Sequence, residues 1–467
     1  MTTPEPFAPT IAAIATPPGQ GGIAIVRLSG AASLPILKKL FRPRQPACPF
    51  ESHRLYYGWV VQPATGTAVD EVLAVVMRAP RTYTREDVVE IHCHGGPLVV
   101  REILTLVLAA GAVPAAAGEF TRRAFLGGRI DLTQAEAVVE MLTARTSAGL
   151  RLAAAQLGGG LQARLAEVRE ALLDIRALLE VAIDFPDEEA DILDGPGLRA
   201  RLTRTAIEPL RELIAAADHG RIFQEGVSVV ILGRPNVGKS SLLNALLREE
   251  RAIVTATPGT TRDTIEEYIA IQGVPVRLVD TAGIRATSEA VEELGIQRAR
   301  RKAEEADLVL LLFDLSQPLA AEDRELYAAI LGRPVILVAN KHDLIPDPAR
   351  LGDLAQAFPG EALVPLSAKT LAGLADLEEA IYTKVAGAPA EPPGPVHWCA
   401  PNARHRAALV KTLACVEQAG QGLSTALAPD LLAVDVQEGL DLLAEIVGQT
   451  TTEDVLDRIF SRFCIGK

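Results

Sequence analysis

Val227-Ser-Val-Val-Ile-Leu-Gly-Arg-Pro-Asn-Val-Gly-Lys-Ser240 runs a near-continuous apolar stretch into G-x-x-x-x-G-K-S. An apolar helical pattern follows at Leu242, Leu243, Ala245 and Leu246. A buried strand, a glycine-rich loop and a helix, in that order, form the context a phosphate-binding loop requires. Gly233 and Gly238 let the backbone curl so that its N–H groups face phosphate oxygens, and the helix N-terminus adds a positive dipole end. In this pattern Lys239 meets the β- and γ-phosphates and the Ser240 hydroxyl ligates Mg2+. The stretch predicts a nucleoside triphosphate site spanning Asn236, Val237, Gly238, Lys239, Ser240 and Ser241.

Downstream, strands are expected at 265–271, 274–279, 307–313, 335–339 and 362–365, alternating with helices. That alternation predicts a mostly parallel sheet wrapped by helices. Asn340-Lys-His-Asp343 follows one of these strands, where a base-reading loop belongs. A carboxylate at Asp343 can accept from both N1–H and the exocyclic amine of guanine, whereas adenine would leave it unmatched. Asn340 and Lys341 complete that loop, and Ser367-Ala368-Lys369 fits a backbone contact to the guanine carbonyl. Asp280-Thr281-Ala282-Gly283 also follows a strand. There Asp280 would hold Mg2+ through water and Gly283 would donate to the γ-phosphate. Thr261, in Pro258-Gly259-Thr260-Thr261-Arg-Asp263, is the expected switch threonine and second Mg2+ ligand. Four motifs in the right order, each after a strand, predict a GTPase.

Ile284 stands where many Ras-like proteins carry a water-orienting Gln, and an isoleucine cannot take that part. Asn236 could instead offer a side-chain oxygen to a monovalent cation beside the phosphates. Carbonyls near Thr255, Thr257 and Thr260, with Ala256 between them, could complete its shell and stabilise developing charge. Glu289, Glu292 and Glu293 are the candidates for positioning water.

The 467-residue length suggests about three domains. A formal charge of −13 weighs against a strong nonspecific nucleic-acid binder, though a local basic patch remains compatible with RNA contact. The five scattered cysteines include no C-x-x-C pair, as expected for reduced thiols in a cytosol. No apolar stretch is long and unbroken enough to span a bilayer, so a soluble, cytoplasmic protein is expected. Near the N-terminus, strands are expected at 11–15, 23–28, 54–62, 71–77 and 88–92, with a helix over Pro97–Ala109. His92-Cys93-His94 is read as a strand end with a structural role. Alternation on a strand turns Cys93 away from both histidines, and no other cluster supplies further metal ligands.

Helical patterning dominates from Phe120. Asp131 and Gln134 have capping-box spacing, and Leu161, Leu165, Val168, Leu172, Ile175 and Leu179 form one stripe interrupted upstream by Gly158–Gly160. A second helix is expected over 198–217, then a linker at 219–226 into the nucleotide domain. Residues 402–467 read as helical, with Leu442, Ile446, Val455, Ile459 and Phe463 as core candidates.

Taken together, these residues resemble the MnmE (TrmE) family of tRNA-modification GTPases over essentially the whole chain. The carriers are Ala15-Thr-Pro-Pro-Gly-Gln-Gly-Gly22, Glu90 with His94-Gly-Gly-Pro97, Gly118-Glu-Phe-Thr-Arg-Arg-Ala-Phe125 and Asp131-Leu-Thr-Gln-Ala-Glu-Ala137. Asp184-Phe-Pro186, the GTPase motifs and the terminal Phe463-Cys-Ile-Gly-Lys467 add to them. The resemblance implies a multidomain α/β and α protein. Residues 1–125 would be an α+β folate-binding and dimerising domain, and 126–219 with 389–467 a discontinuous all-helical domain. Residues 220–388 would be an inserted Ras-like GTPase domain with a doubly wound, mostly parallel sheet.

The resemblance further implies a K+-activated GTPase that works as a homodimer with an FAD-containing MnmG/GidA-type partner on tRNA. The pair would install an aminomethyl or carboxymethylaminomethyl group at C5 of the wobble uridine, using a methylene- or formyl-tetrahydrofolate derivative. By motif match, Arg27, Glu90, Arg129 and Lys467 would contact folate. Asn236, Thr255, Thr257 and Thr260 would bind K+, Ser240 and Thr261 Mg2+. Glu292 would position water, Lys239 would serve catalysis at the phosphates, and Cys464 matches a family cysteine tied to the modification chemistry. A ribosome-assembly GTPase acting as an RNA-binding switch shares the GTPase motifs, but not the terminal Cys-Ile-Gly-Lys or the Thr-Pro-Pro-Gly loop. A small-molecule folate enzyme merely regulated by GTP is disfavoured by the inserted GTPase with its K+-type loop.

Overall fold

The computed structural model describes residues 9–46, 49–185, 194–249, 267–280, 301–344, 348–387, 400–425 and 427–467. The chain divides into two compact units, residues 1–139 with 441–467, and residues 140–440.

The first unit is built on a seven-stranded sheet: β1 (Ile11–Ile14), β2 (Gly21–Ser29), β3 (Phe41–Pro43), β4 (Arg54–Val61), β5 (Ala68–Met77), β6 (Val88–Gly95) and β7 (Val113–Pro114). Their spatial order is β3-β4-β5-β6-β2-β1-β7. The helices Ser33–Leu40 and Pro97–Ala109 pack Ile36, Leu37, Leu40, Val100, Ile103 and Val107 on one face, against Val26, Leu28, Val89 and Ile91. Successive strand residues point to opposite faces, so Arg27 and Glu90, each between two of those buried neighbours, project from the other face. The helix from Pro97 to Ala109 has the expected bounds; Pro97 occupies its first turn, where a missing N–H costs nothing.

The Asp131 cap forms as expected. The Gln134 N–H donates to Asp131 Oδ1 at 2.9 Å, and the Asp131 N–H donates to Gln134 Oε1 at 3.0 Å. The helix Glu453–Phe460 contributes Leu456 and Phe460 to a small core with Leu132, Ala135 and Phe463. Ile446 and Phe463 are buried as expected. Leu442, Val455 and Ile459 are only half-buried; Leu443, Leu456 and Phe460, one place along, take the inward positions. Two adjacent apolar residues satisfy a helical stripe almost equally, and only the packing decides between them.

In the second unit, β8 (Val227–Gly233), β9 (Glu267–Ile271), β10 (Val274–Asp280), β11 (Leu308–Asp314), β12 (Val335–Asn340) and β13 (Ala362–Pro365) form a sheet of order β13-β12-β11-β8-β10-β9. All pairs are parallel except β9 with β10. Val229 and Ile231 enter one core with Leu242, Leu246 and Leu377; Val230 and Leu232 enter the other with Leu354 and Phe358. Burial of both faces is why β8 reads as apolar throughout.

The long stripe is the inner face of the helix Gly160–Asp184, which begins after Gly159 in the left-handed region at φ 86°. The expected second helix is longer than its pattern suggested. Gly195–Leu202 continues through a π turn, Thr203–Ile207, into Glu208–Glu225. Pro209 has no N–H to donate, and the Glu208 N–H reaches back to the Thr203 carbonyl, so a widened turn keeps the helix going. The stretch 219–226, expected as a linker, is therefore the end of this helix up to its cap at Gly226. The glycine suggested a break, but Gly220 packs tightly beside Ala400 within the helix.

Candidate functional site

The parallel strands of the second unit all end on one edge, where ligands bind in open α/β sheets. β8 ends at Gly233, the helix Lys239–Glu249 opens six residues later, and the loop between them carries Asn236 at φ 62° and Gly238 at φ 105°. A Cβ on Gly238 would lie 2.2 Å from Asn340 Nδ2, so no other residue fits there. Lys239 Nζ donates to the carbonyls of Gly233 at 2.8 Å and Arg234 at 2.7 Å, which folds the ammonium over the loop. Val237 is buried, while Ser240 and Ser241 lie exposed on the first turn of the helix. Anions are favoured at such a terminus.

Asn340, 2% exposed, joins two loops. Its Nδ2 donates to the Val237 carbonyl at 2.8 Å, and its Oδ1 accepts from the Ala368 N–H at 3.0 Å. The Ser367 hydroxyl accepts from the Thr370 N–H at 3.2 Å, and Ser367 is buried. Asp343 and Lys369 are exposed at the rim, Asp343 on the single turn His342–Leu344. The sequence-predicted phosphate loop, base loop and Ser367–Lys369 segment are thus one connected structure. β10 ends at Asp280, and the parallel register sets that residue opposite Ile231, just before the phosphate loop. Thr255, Ala256, Thr257, Pro258, Gly259, Thr260, Thr261, Thr281, Ala282, Gly283, Ile284, Glu289, Glu292 and Glu293 lie outside the described residues.

Sequence reading passed over Asp314, the last residue of β11, which is only 5% exposed. Lys341 Nζ donates to Asp314 Oδ2 at 2.6 Å, and the Ser316 N–H and hydroxyl donate to Oδ1 at 2.9 and 2.6 Å. Burial acts to raise its pKa, but the hydrogen bonds from Lys341 and Ser316 outweigh it and hold the carboxyl below its ordinary value. A lone charge closing an otherwise apolar strand was the available signal.

In the first unit, Arg27 Nε donates to Glu90 Oε1 at 2.8 Å, across a β2–β6 pair in direct register. His92 Nε2 lies 3.2 Å from Glu90 Oε2, and the Arg27 guanidinium sits 5.8 Å from the centre of the Phe120 ring. Arg27 Nη1 also donates to the Gly466 carbonyl at 3.4 Å. The terminal segment is tied down by an Ala117–Ile465 bridge, and Gly466, at φ 96°, lies against the Ile14 carbonyl. Arg27, Glu90 and the chain end beside half-buried Lys467 therefore come together. Arg129 is held separately, 4.8 Å over the Tyr83 ring and donating to the Tyr83 carbonyl at 3.2 Å. Tyr83 in turn packs against the cluster containing Phe120. Cys464 is exposed.

In the His92-Cys93-His94 stretch, His92 meets Glu90, and His94 Nδ1 lies 2.7 Å from Asp70 Oδ1, a bond that raises the His94 pKa. Cys93 is buried on the opposite face. Among the described residues, no group of three or more His, Cys, Asp or Glu side chains could hold a metal ion, and no helix is long and apolar enough to cross a membrane.

A family model described as "MnmE helical domain" matches residues 132–464, and one described as "GTP-binding protein TrmE N-terminus" matches residues 10–129. A tRNA modification GTPase MnmE from Desulfotalea psychrophila is 51% identical over 463 residues, covering 98% of each chain. One from Geobacter sulfurreducens is 49% identical, covering 98% of this chain and 99% of its own. Among solved structures, Aquifex aeolicus Era bound to GDP and AlF4− is 29% identical over 40% of this chain and 66% of that one, with a TM-score of 0.29. With both terminal regions matched and identity near one half along its length, the chain belongs to the MnmE family of tRNA modification GTPases.

Proposed function

We propose that this chain is the GTP-hydrolysing, potassium-activated, folate-dependent subunit of the enzyme that adds an aminomethyl or carboxymethylaminomethyl group to C5 of the wobble uridine of certain tRNAs. It works as a cytoplasmic homodimer with an FAD-containing partner of the MnmG/GidA type. The proposed division is a folate domain over 1–125, a helical domain over 126–219 and 389–467, and a GTPase domain over 220–388. The observation that carries the folate part is the Arg27–Glu90 pair with the Gly466 carbonyl against it, because it joins the N-terminal sheet to the chain's last residues.

The donor set suits the implied groups. A pterin ring offers an amine and an N–H to a carboxylate, which Glu90 supplies, while Arg27, Arg129 and Lys467 supply cations for the folate's acidic tail. When bound, the folate derivative supplies the one-carbon unit. Ser240 and Thr261 offer the hard oxygens Mg2+ prefers. Asn236, with Thr255, Thr257 and Thr260, offers the neutral oxygens suited to K+, which would stabilise charge between the β- and γ-phosphates. Lys239 neutralises phosphate charge, Glu292 orients water, and Cys464 serves the modification step. Asn236→Ala should remove the stimulation of GTP hydrolysis by K+ over Na+; equal rates in both ions for the unsubstituted protein would refute the ion assignment.

The deciding experiment is mass analysis of tRNA nucleosides from cells with and without this protein. Loss of the C5 modification at wobble uridine is expected, and an unchanged nucleoside profile would overturn the reading.

A further inference from the structure

Two neighbouring residues of the base loop hold two neighbouring carbonyls of the phosphate loop. Asn340 takes that of Val237 at 2.8 Å, and Lys341 Nζ takes that of Asn236 at 3.1 Å. The two bonds differ in kind. Asn340 is itself fixed by the Ala368 N–H, whereas the Lys341 ammonium ends a flexible stem and needs an anchor. Asp314 is that anchor, at 2.6 Å, with its second oxygen taken by Ser316. The carboxylate is almost fully buried at the end of a central strand, so it cannot follow the lysine outward.

Asn236 and Lys341 both occupy the left-handed backbone region, at φ 62° and 63°. For residues other than glycine this conformation is strained and persists only where surrounding contacts hold it. At Asn236 the carbonyl is turned toward Lys341, and in a loop of this type N–H groups rather than carbonyls face phosphate.

We infer that Asp314 is a positioning residue for the nucleotide: acting through Lys341, it holds the Asn236 peptide in its phosphate-binding orientation. The inference deepens the GTP-site reading and rests on it. An Asp314→Asn protein has nearly the same shape but leaves Lys341 without a charged partner. The phosphate loop should then spend more time in orientations that do not bind, which weakens ground-state and transition-state binding alike.

The test titrates full-length protein with a fluorescent GDP analogue and measures GTP turnover. Asp314→Asn should weaken GDP binding about tenfold and raise KM in step, with kcat within about twofold. In a Lys341→Met background the same substitution should cost nothing further, since the residue it acts through is gone. Asp314→Glu keeps the charge near Lys341 and should bind GDP more tightly than Asp314→Asn. If Asp314→Asn does not fold, Asp314→Glu against the unsubstituted protein carries the test, with a loss of a few-fold expected and none overturning it. A carboxylate that served stability alone would cost the same whether or not the lysine is present. Full additivity of the two substitutions, or unchanged GDP affinity, therefore overturns the inference. Absence of GDP binding by the unsubstituted protein would instead overturn the nucleotide reading and this inference with it.

Discussion

Arg27 on β2 and Glu90 on β6 stand directly opposite one another in the antiparallel register and are joined at 2.8 Å. Each is flanked by residues buried beneath helices on the far face, so neither can turn away without pulling a strand out of the core. The pair is only partly exposed, with side-chain accessibilities of 20% and 15%, and this strengthens its electrostatics relative to a surface pair. It is also the point at which the end of the chain is held, through the Gly466 carbonyl.

Arg27→Ala should therefore weaken binding of formyl-tetrahydrofolate about 10- to 100-fold, the range for losing a charged hydrogen bond while leaving a carboxylate unpartnered. Isothermal titration reads this directly. GTP hydrolysis should persist in the same protein, and unchanged folate affinity would remove the site.

Asp343 is exposed while Asn340 is buried and holds the Val237 carbonyl, so the two can be separated. Asp343→Asn should weaken GTP binding and strengthen binding of xanthosine triphosphate, whose base presents a carbonyl where guanine presents an amine. Competition between the two nucleotides checks the exchange. A variant that loses GTP and gains nothing would contradict the base assignment.

Gly238→Ala tests the bracing itself. The new methyl group would lie 2.2 Å from Asn340 Nδ2, in a backbone conformation at φ 105° that L residues avoid. Strain of about 2–3 kcal/mol would lower GDP affinity about a hundredfold. Because the clash is with the amide that holds the Val237 carbonyl, adding Asn340→Gly should cost less in the Gly238→Ala protein than in the unsubstituted one.

The thiols should separate by environment. Burial, with the nearby Asp70 charge adding to it, pushes the Cys93 thiol from 9.0 up to about 11. Since the thiolate is the reactive form, iodoacetamide at a pH of about 8 should label exposed Cys464 and spare Cys93, as read by peptide mass mapping. The raised value also means that the folded state holds the Cys93 proton more tightly than the unfolded one. Its contribution to stability is present below pH 9.0 and lost as pH rises toward about 11. Cys93→Ala should flatten the alkaline part of the stability curve in that window.

Local signals were legible wherever one element carries its own pattern. The helix from Pro97 to Ala109, the Asp131 cap and the stripe from Leu161 to Leu179 each rest on contacts a few residues apart, and each is found as read. The short strands β3 and β7 and the helix Ser33–Leu40 carry too few residues for a period to emerge. Residues 219–226 misled because glycine and polar residues suggest a linker, while helix packing kept them helical.

The phosphate loop could be read from sequence because its chemistry is local: a strand, two glycines, a lysine and a helix N-terminus within one short stretch. What the tertiary structure alone decided are the contacts that close over long separations. Arg27 meets Gly466 across 439 residues, Asn340 meets Val237 across 103, and Asp314 meets Lys341 only because β11 and β12 run parallel in register. Strand register and the docking of a chain end are set by the packing of the whole unit, and no single segment carries a record of them.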